Sequence, residues 1–295
     1  MKLFDRYVVV DWSAKNSAAT GKDSIWIADL GRRGVTTFSN PPTRRIADEQ
    51  IRSLLDAGSA DRTLLAVDVS LGFPGGSAAR FGLEGDAPWR AMWTTLERGI
   101  VDDDRNRNNR FEVAAKLNRH TGRAGPFWGR PGSNELDGLT VTKPPSFPDD
   151  EFRSCDRLLM SWGYRPASPW QLLGIGSVGS QSLTLIPILE RLRRERRAHV
   201  WPFTTGLRPP VPERGGVVIA EIWPTLFPMV MPVHWIRDAA QVHGVARRLA
   251  TVDRAGELAS WFTPAVDDAA SVQLEEGWML GVATHPGLVA HEPTD

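Results

Sequence analysis

The sequence predicts an α/β fold in which a mixed sheet, three antiparallel strands followed by parallel strands, is covered by helices on both faces. Two observations predict it: short apolar runs that end in an acid, and helix-period segments that alternate with these runs. The 295 residues, of which 41% are hydrophobic, suffice to bury a full core. We therefore expect a single domain over residues 1–295, with a large helical and loop insertion at about 71–170.

The N-terminal third contains the predicted antiparallel strands and the first parallel one. After a meander of three strands, the segment 43–57 changes to helical spacing, and Thr43 is placed to cap its start and Gly58 to end it. The next apolar run is continuous, which is typical of a strand buried on both faces. The strands predicted here are 7–11, 24–30, 35–38 and 63–69.

The rest of the chain contains the insertion and then returns to alternating elements. Between about 71 and 170, loops rich in glycine and proline surround helices predicted near 88–100, 107–120 and 149–162. Beyond the insertion the prediction is a helix over 180–197, a strand over 217–222, a helix over 237–250 and a last helix over 267–281. This alternation indicates a sheet with helices on both faces.

Composition excludes several classes of protein. Basic and acidic residues number 35 each, so the net charge is zero and any binding of nucleic acid must be local. The single cysteine, Cys155, excludes an internal disulfide partner and a zinc site built on several thiolates, which favours a reducing compartment. The first apolar run is too short for a signal-peptide core, and no stretch approaches spanning length. We expect a cytoplasmic protein without a membrane partner.

Three predicted strands carry an acid at or near their C-terminal end: Asp11, Asp68 and Glu221. In an open α/β sheet these ends line the crevice where ligands bind, so the carboxylates converge if the strands are neighbours. A lone carboxylate is costly to bury, but several together are suitable ligands for Mg²⁺ or Mn²⁺. The alternative is that Asp11 and Asp68 are ordinary turn acids at strand ends.

A fourth carboxylate is expected from the last helix. Asp268 is our choice, with Asp267 beside it and Glu275 seven residues further on the same helical face. The alternative is that the two aspartates only cap this helix and interact with its dipole.

Four short motifs suggest a family. They are Val-Val-Asp-Trp-Ser-Ala at 9–14, Val-Asp-Val-Ser-Leu-Gly-Phe-Pro at 67–74, Arg-Ser-Cys-Asp-Arg at 153–157 and Ala-Glu-Ile-Trp-Pro at 220–224. In this order they resemble a largely uncharacterised family of predicted ribonuclease H-like nucleases. The resemblance implies the ribonuclease H fold, with Asp11, Asp68 and Glu221 as the acidic site. It is weakest at the last helix, where such folds usually have small apolar residues after the acids.

Candidate substrate-binding residues lie in a basic stretch between 105 and 130 and beside Asp11. Arg110, Lys116 and Arg130 are placed to contact phosphates, and Trp12 to stack on a base. The alternative for the basic stretch is a solvated helix face balanced by nearby acids. Nucleic acid or a nucleotide is therefore the expected partner.

The glycine pattern at 174–179 matches the dinucleotide-binding fingerprint, but no strand ending in an acid follows about twenty residues later. A tight turn before the next helix is the simpler interpretation, and that helix N-terminus is still able to hold an anion. An actin-like phosphotransferase would need a second copy of the opening unit, which the sequence lacks.

The function predicted from the sequence is thus a metal-dependent nuclease or phosphodiesterase, in which Asp11, Asp68, Glu221 and Asp268 hold Mg²⁺ or Mn²⁺. The alternative is a non-catalytic protein of the same fold that binds a nucleotide or another anionic small molecule.

Overall fold

The computed structural model describes residues 1–145, 151–174, 176–227 and 234–282. Within these residues one mixed sheet has six strands in the order β3-β2-β1-β4-β6-β5. The strands are β1 (Arg6–Asp11), β2 (Trp26–Leu30), β3 (Thr36–Ser39), β4 (Thr63–Asp68), β5 (His199–Val200) and β6 (Val217–Glu221).

The strand directions confirm the predicted mixed sheet. β2 is antiparallel to both β1 and β3, whereas the neighbouring pairs β1–β4, β4–β6 and β6–β5 are parallel. β5 is absent from the prediction because two residues are too short to show any alternation.

Helices cover both faces of the sheet, as predicted. The first helix begins after Thr43, whose side chain accepts from the amide of Ile46, and Gly58 caps its C-terminus. The helices are α1 (Arg44–Ala57), α2 (Ser77–Arg80), α3 (Pro88–Gly99), α4 (Arg110–His120), α5 (Ser154–Ser161), α6 (Val178–Arg196), α7 (Arg237–Arg254), α8 (Leu258–Trp261) and α9 (Ala269–Ser271).

Alternate strand residues divide the core into two layers. Val8 and Val10 of β1 pack in the layer formed with α1, α3, α4 and α6. Tyr7 and Val9 pack in the layer formed with α7 and α8. This alternation follows from the two-residue period of a strand.

The predicted last helix over 267–281 is wrong in its extent. α9 is followed by a π-helical turn, Val272–Glu276, and the chain leaves it at Gly277 with a φ of +68°. The helix predicted at 149–162 corresponds to α5, and residues 149–150 lie outside the described part. Residues 71–145 and 151–170 contain α2 to α5 and contribute no strand to the six-stranded sheet.

In the described part of the chain, no helix combines the length and the apolar character needed to cross a membrane. Cys155, the chain's single cysteine, is buried with a free thiol, which agrees with the expected lack of an internal disulfide.

Asp253 near the end of α7 anchors the N-terminal segment. Its carboxylate is fully buried and accepts hydrogen bonds from the amides of Leu3 at 2.7 Å and Phe4 at 2.8 Å and from the Tyr7 hydroxyl at 2.5 Å. One acceptor group therefore satisfies three donors that the core separates from water.

We expect Asp253→Asn to lower the free energy of unfolding by about 2–4 kcal/mol, since an amide cannot accept from all three donors. Chemical denaturation measures the change. Glu257→Gln, at an exposed position in the next turn, is the control and should have little effect. Equal stability of the two variants would contradict the anchoring role.

Candidate functional site

The structure brings Asp11 and Asp68 together. They are the last residues of β1 and β4, and they are level with each other in the parallel register of these strands. Neighbouring strands lie about 4.8 Å apart, and level residues point to the same face. Asp11 comes two residues after Val9, so its side chain points to the same face of the sheet as Val9, which packs against α7. Asp68 is level with Asp11 and shares this face.

These two carboxylates have no hydrogen-bond donor and no cationic partner among the residues that the structure describes. Both side chains are only partly exposed. Burial raises the pKa of Asp68 to about 7, and the charge of Glu221 contributes. Burial also raises the pKa of Asp11 well above its usual value, as do the charges of Asp68, Asp238 and Asp23. Half-buried carboxylates normally have donors, so this pair is suited to a cation.

The two aspartates line adjoining cavities. Asp11 lies in a cleft of about 740 Å³ that Arg110, Ser177 and Asp238 also line. Asp68 lies in a cavity of about 140 Å³. Gly176 and Gln181 line both cavities, so the cleft and the smaller cavity meet at the start of α6.

Asp238 is a site residue that the sequence analysis missed. It lies in the first turn of α7, lines the cleft and adds its charge to the field at Asp11. One of its oxygens, Oδ2, accepts from the amide of Asp23 at 2.6 Å. The available signal was an acid in the first turn of the helix predicted over 237–250. Its relevance depends on α7 packing across β1 and β2, which the pattern alone does not reveal.

Glu221 lines the cavity that contains Asp68, but it differs from the pair in orientation and in having protein partners. Its expected role as a metal ligand stays a prediction. In the register of β4 and β6 Glu221 is level with Val67, one residue before Asp68. A shift of one residue turns a side chain to the opposite face. Its oxygens accept from Arg153 at 2.6 and 2.7 Å and from the amide of Leu71 at 2.9 Å. Glu221 is therefore occupied by protein donors.

Arg153 is the centre of a buried ion cluster. Its side chain is 0% exposed and also binds Asp156, with Nε 3.0 Å from Oδ2. A buried arginine needs such acceptors because its charge is costly to desolvate. The cluster joins the motifs at 153–157 and 220–224 to the loop after β4. The loop after β4 belongs to the motif at 67–74, so the motifs at 67–74, 153–157 and 220–224 meet in one place, next to the aspartate pair.

The acids near the C-terminus hold loops and lie apart from the pair. Glu275 accepts from the amides of Gly76 at 2.6 Å and Ala78 at 2.5 Å, and Glu276 accepts from the amide of Ser154 at 2.8 Å. Gly72 packs so tightly here that a Cβ would lie 2.3 Å from the carbonyl oxygen of Glu276. Glu275 is therefore committed to the loop that contains α2.

Asp268, the expected fourth ligand, makes a local contact instead. It is exposed, and its Oδ1 accepts from the amide of Ser271 at 2.9 Å, which is an ordinary helix cap. Neither Asp268 nor the exposed Asp267 lines the cavities at Asp11 and Asp68.

Of the predicted substrate-binding residues, only Arg110 has a guanidinium in the cleft. Trp12 borders the cleft but is 1% exposed, and its indole donates to Thr184 Oγ1 at 3.0 Å, so it has no free face for a base. Lys116 is exposed on α4 and lines neither cavity. Arg130 donates to the carbonyl groups of residues 131, 134 and 139 and so holds its own loop.

These observations define the class as an α/β protein with a mixed sheet and two adjacent, unpaired aspartates at the ends of parallel strands. No family model, curated protein or solved structure was found to match the chain. Over the described ranges, no three Asp, Glu, His or Cys side chains form a group able to hold a metal ion. Any cation held here would therefore rely on two aspartates, with water and ligand completing its coordination.

The raised pKa values predict how stability depends on pH. Because the pKa of Asp68 is about 7 in the fold and 3.8 in a free carboxyl group, the folded state loses stability as pH rises between these values. Asp68→Asn removes this ionisation. We expect it to raise the free energy of unfolding at pH 8 by about 1–3 kcal/mol and to change it little near pH 4.

Denaturation in the absence of divalent cations, repeated from pH 4 to pH 8, measures this effect. Asp268→Asn is the control, because asparagine also caps a helix and the position is exposed. An Asp68→Asn variant less stable than the wild type at pH 8 would show that Asp68 has a donor.

Proposed function

We propose that this protein is a Mg²⁺- or Mn²⁺-dependent hydrolase of phosphodiester bonds, a nuclease or phosphodiesterase of ribonuclease H-like fold. The observation that carries the proposal is the pair Asp11 and Asp68, level on adjacent parallel strands and without protein donors in the described part of the chain. The sheet order, three antiparallel strands followed by parallel ones, and the motifs that resemble the nuclease family support the fold assignment.

The chemistry of the two side chains fits the cation. Mg²⁺ and Mn²⁺ prefer oxygen ligands, and Mg²⁺ commonly binds to one or two carboxylates, with water and substrate phosphate as the remaining ligands. A bound cation would supply charge neutralisation at the phosphate and a more acidic water. The raised pKa values of Asp11 and Asp68 imply that both carboxylates gain from its charge.

Other residues of the site position these groups. Asp238 keeps Oδ1 free of donors from the described residues, so this oxygen is available to orient a water near Asp11. Glu221 and Arg153 hold the backbone of Leu71, and with it the loop that follows Asp68. The proposal thus gives Glu221 a positioning role in place of metal binding.

A second candidate is a non-catalytic protein that binds a nucleotide or another anionic small molecule in the cleft. The observation that favours it is that the metal donors are two in number, with no third acidic, histidine or cysteine side chain grouped with them in the described residues. The net charge of zero also differs from the basic charge that is typical of proteins that bind long nucleic acids.

The test is hydrolysis of a chromogenic phosphodiester and of single-stranded and duplex RNA and DNA, with Mg²⁺, with Mn²⁺ and with a chelator. We expect metal-dependent hydrolysis that Asp11→Asn and Asp68→Asn each reduce on the order of 100-fold, because neutral amides are poor cation ligands. Asp268→Asn should retain wild-type activity, since Asp268 is exposed and asparagine can replace it as the cap of α9.

Equal activity of the wild type and Asp11→Asn would contradict the proposal. If no substrate is hydrolysed, metal titration by calorimetry distinguishes the candidates. Mn²⁺ binding by the wild type that is lost in Asp11→Asn would support a metal site at Asp11. A wild type that binds no cation would favour the non-catalytic protein.

A further inference from the structure

Arg110 is a buried cation without an acidic partner. It is the first residue of α4 and only 4% exposed. Its Nε donates to Ser180 Oγ at 2.7 Å, and its Nη1 donates to Asn108 Oδ1 at 2.9 Å and to Asn16 Oδ1. All three acceptors are neutral, and no carboxylate in the described residues forms an ion pair with it. Buried charges are rarely left this way, because they are costly to desolvate.

The charges around Arg110 do not neutralise it. Arg44, which is close enough to repel it, binds Asp102 through Nη2 and Nε, so the charge of Asp102 is largely taken up by Arg44. Glu112, the other acid whose charge acts on it, is exposed. Burial, and then Arg44, lower the pKa of Arg110 to about 10, so the guanidinium is still charged at neutral pH. Arg110 also lies over the ring of Phe111, with its Cζ 4.4 Å from the ring centroid. The cleft thus has, at this end, a positive charge that no carboxylate of the described residues pairs with.

The same end of the cleft contains the N-terminus of a long helix. α6 has 19 residues, and its first-turn residue Ser180 both lines the cleft and holds the Arg110 guanidinium. Ser177, the N-cap residue, also lines the cleft and makes no capping hydrogen bond with its side chain. The amides of Val178 and Ser180 in this first turn already donate to carbonyl oxygens, at 2.8 and 3.1 Å. The helix therefore contributes mainly the partial positive charge of its N-terminus, which favours an anion.

We infer that Arg110, Ser177 and the first turn of α6 form an anion subsite that binds a phosphate group of the ligand, separate from the aspartate pair. Asp11 and Asp238 line the same cleft, so acids and the subsite share one cavity. Its volume of about 740 Å³ is that of a site for a compact ligand.

The anion subsite and the aspartate pair together fit one substrate class, a compact ester with at least two phosphate groups. One of these lies at the aspartate pair and the other at Arg110. The identity of the substrate rests on the proposed function, whereas the binding of an anion at Arg110 does not.

The test is titration of inorganic phosphate into the protein by calorimetry at pH 7.5 with a chelator present, so that the aspartate pair cannot contribute through a metal. We expect wild-type protein to bind phosphate and Arg110→Gln to bind it about tenfold more weakly or not at all. Lys116→Gln is the matched control: it removes one positive charge from the same helix at an exposed position outside the cleft.

Because Arg110 is buried, its loss could disturb folding, and Ser177→Asp provides an independent variant. Aspartate is a good N-cap and interacts favourably with the helix dipole, so the thermal midpoint should be equal or higher. Its charge lies in the subsite, so phosphate binding should be lost all the same.

Phosphate binding that is absent in the wild type, or unchanged in both Arg110→Gln and Ser177→Asp, would overturn the subsite. Neither result bears on metal binding by Asp11. Intact, Arg110-dependent phosphate binding in a protein that hydrolyses nothing would support the subsite and count against the proposed reaction alone.

Discussion

The site depends on the register of three parallel strands. β1 and β4 are paired so that Asp11 and Asp68 are level, and both side chains emerge on the face covered by α7. β6 is paired so that its acid is level with Val67, one residue out of phase. Because of this register, the three acids at the strand ends differ in their partners. Asp11 and Asp68 are available to a cation, whereas Glu221 binds Arg153.

Burial then sets the electrostatics of the aspartate pair. Burial is the main cause of the raised pKa of both aspartates, and the charge of Asp68 adds to it at Asp11 and the charge of Glu221 at Asp68. The raised pKa values cost the folded protein stability at neutral pH. Glu221 is instead paired with Arg153, and the side chains of Arg153 and Glu221 are 0% and 3% exposed. An unfavourable arrangement of charge is thus confined to the residues that line the cavities, as is common at functional sites.

Much of the sheet could be predicted from the sequence. The strands around Asp11, Asp68 and Glu221 are strong apolar runs, and the rule that strand ends line a crevice placed the first two correctly as neighbours. The phase of Glu221 could not be predicted, because a long and loop-rich segment separates β4 from β6 and no local pattern sets their register. For Asp268 the pattern fitted a ligand and a cap equally well, and packing decided for the cap.

The partners of the acids were the harder part to predict. Arg153 belongs to one of the motifs that resemble a nuclease family, yet nothing in the sequence indicates that it contacts Glu221. Trp12 directly follows Asp11, but successive side chains of a strand point to opposite faces. Trp12 therefore points into the core, where its indole donates a hydrogen bond to Thr184. Asp238 and Arg110 gain their importance only because the N-terminal ends of α7 and α4 lie at the same cleft.

The most direct test of this account is an anomalous difference map from crystals soaked in Mn²⁺ at pH 8, where the carboxylates are ionised. We predict a peak between the carboxylates of Asp11 and Asp68, with Glu221 still bound to Arg153. A peak at Glu221 with Arg153 displaced, or no peak beside Asp11 and Asp68, would contradict the assignment.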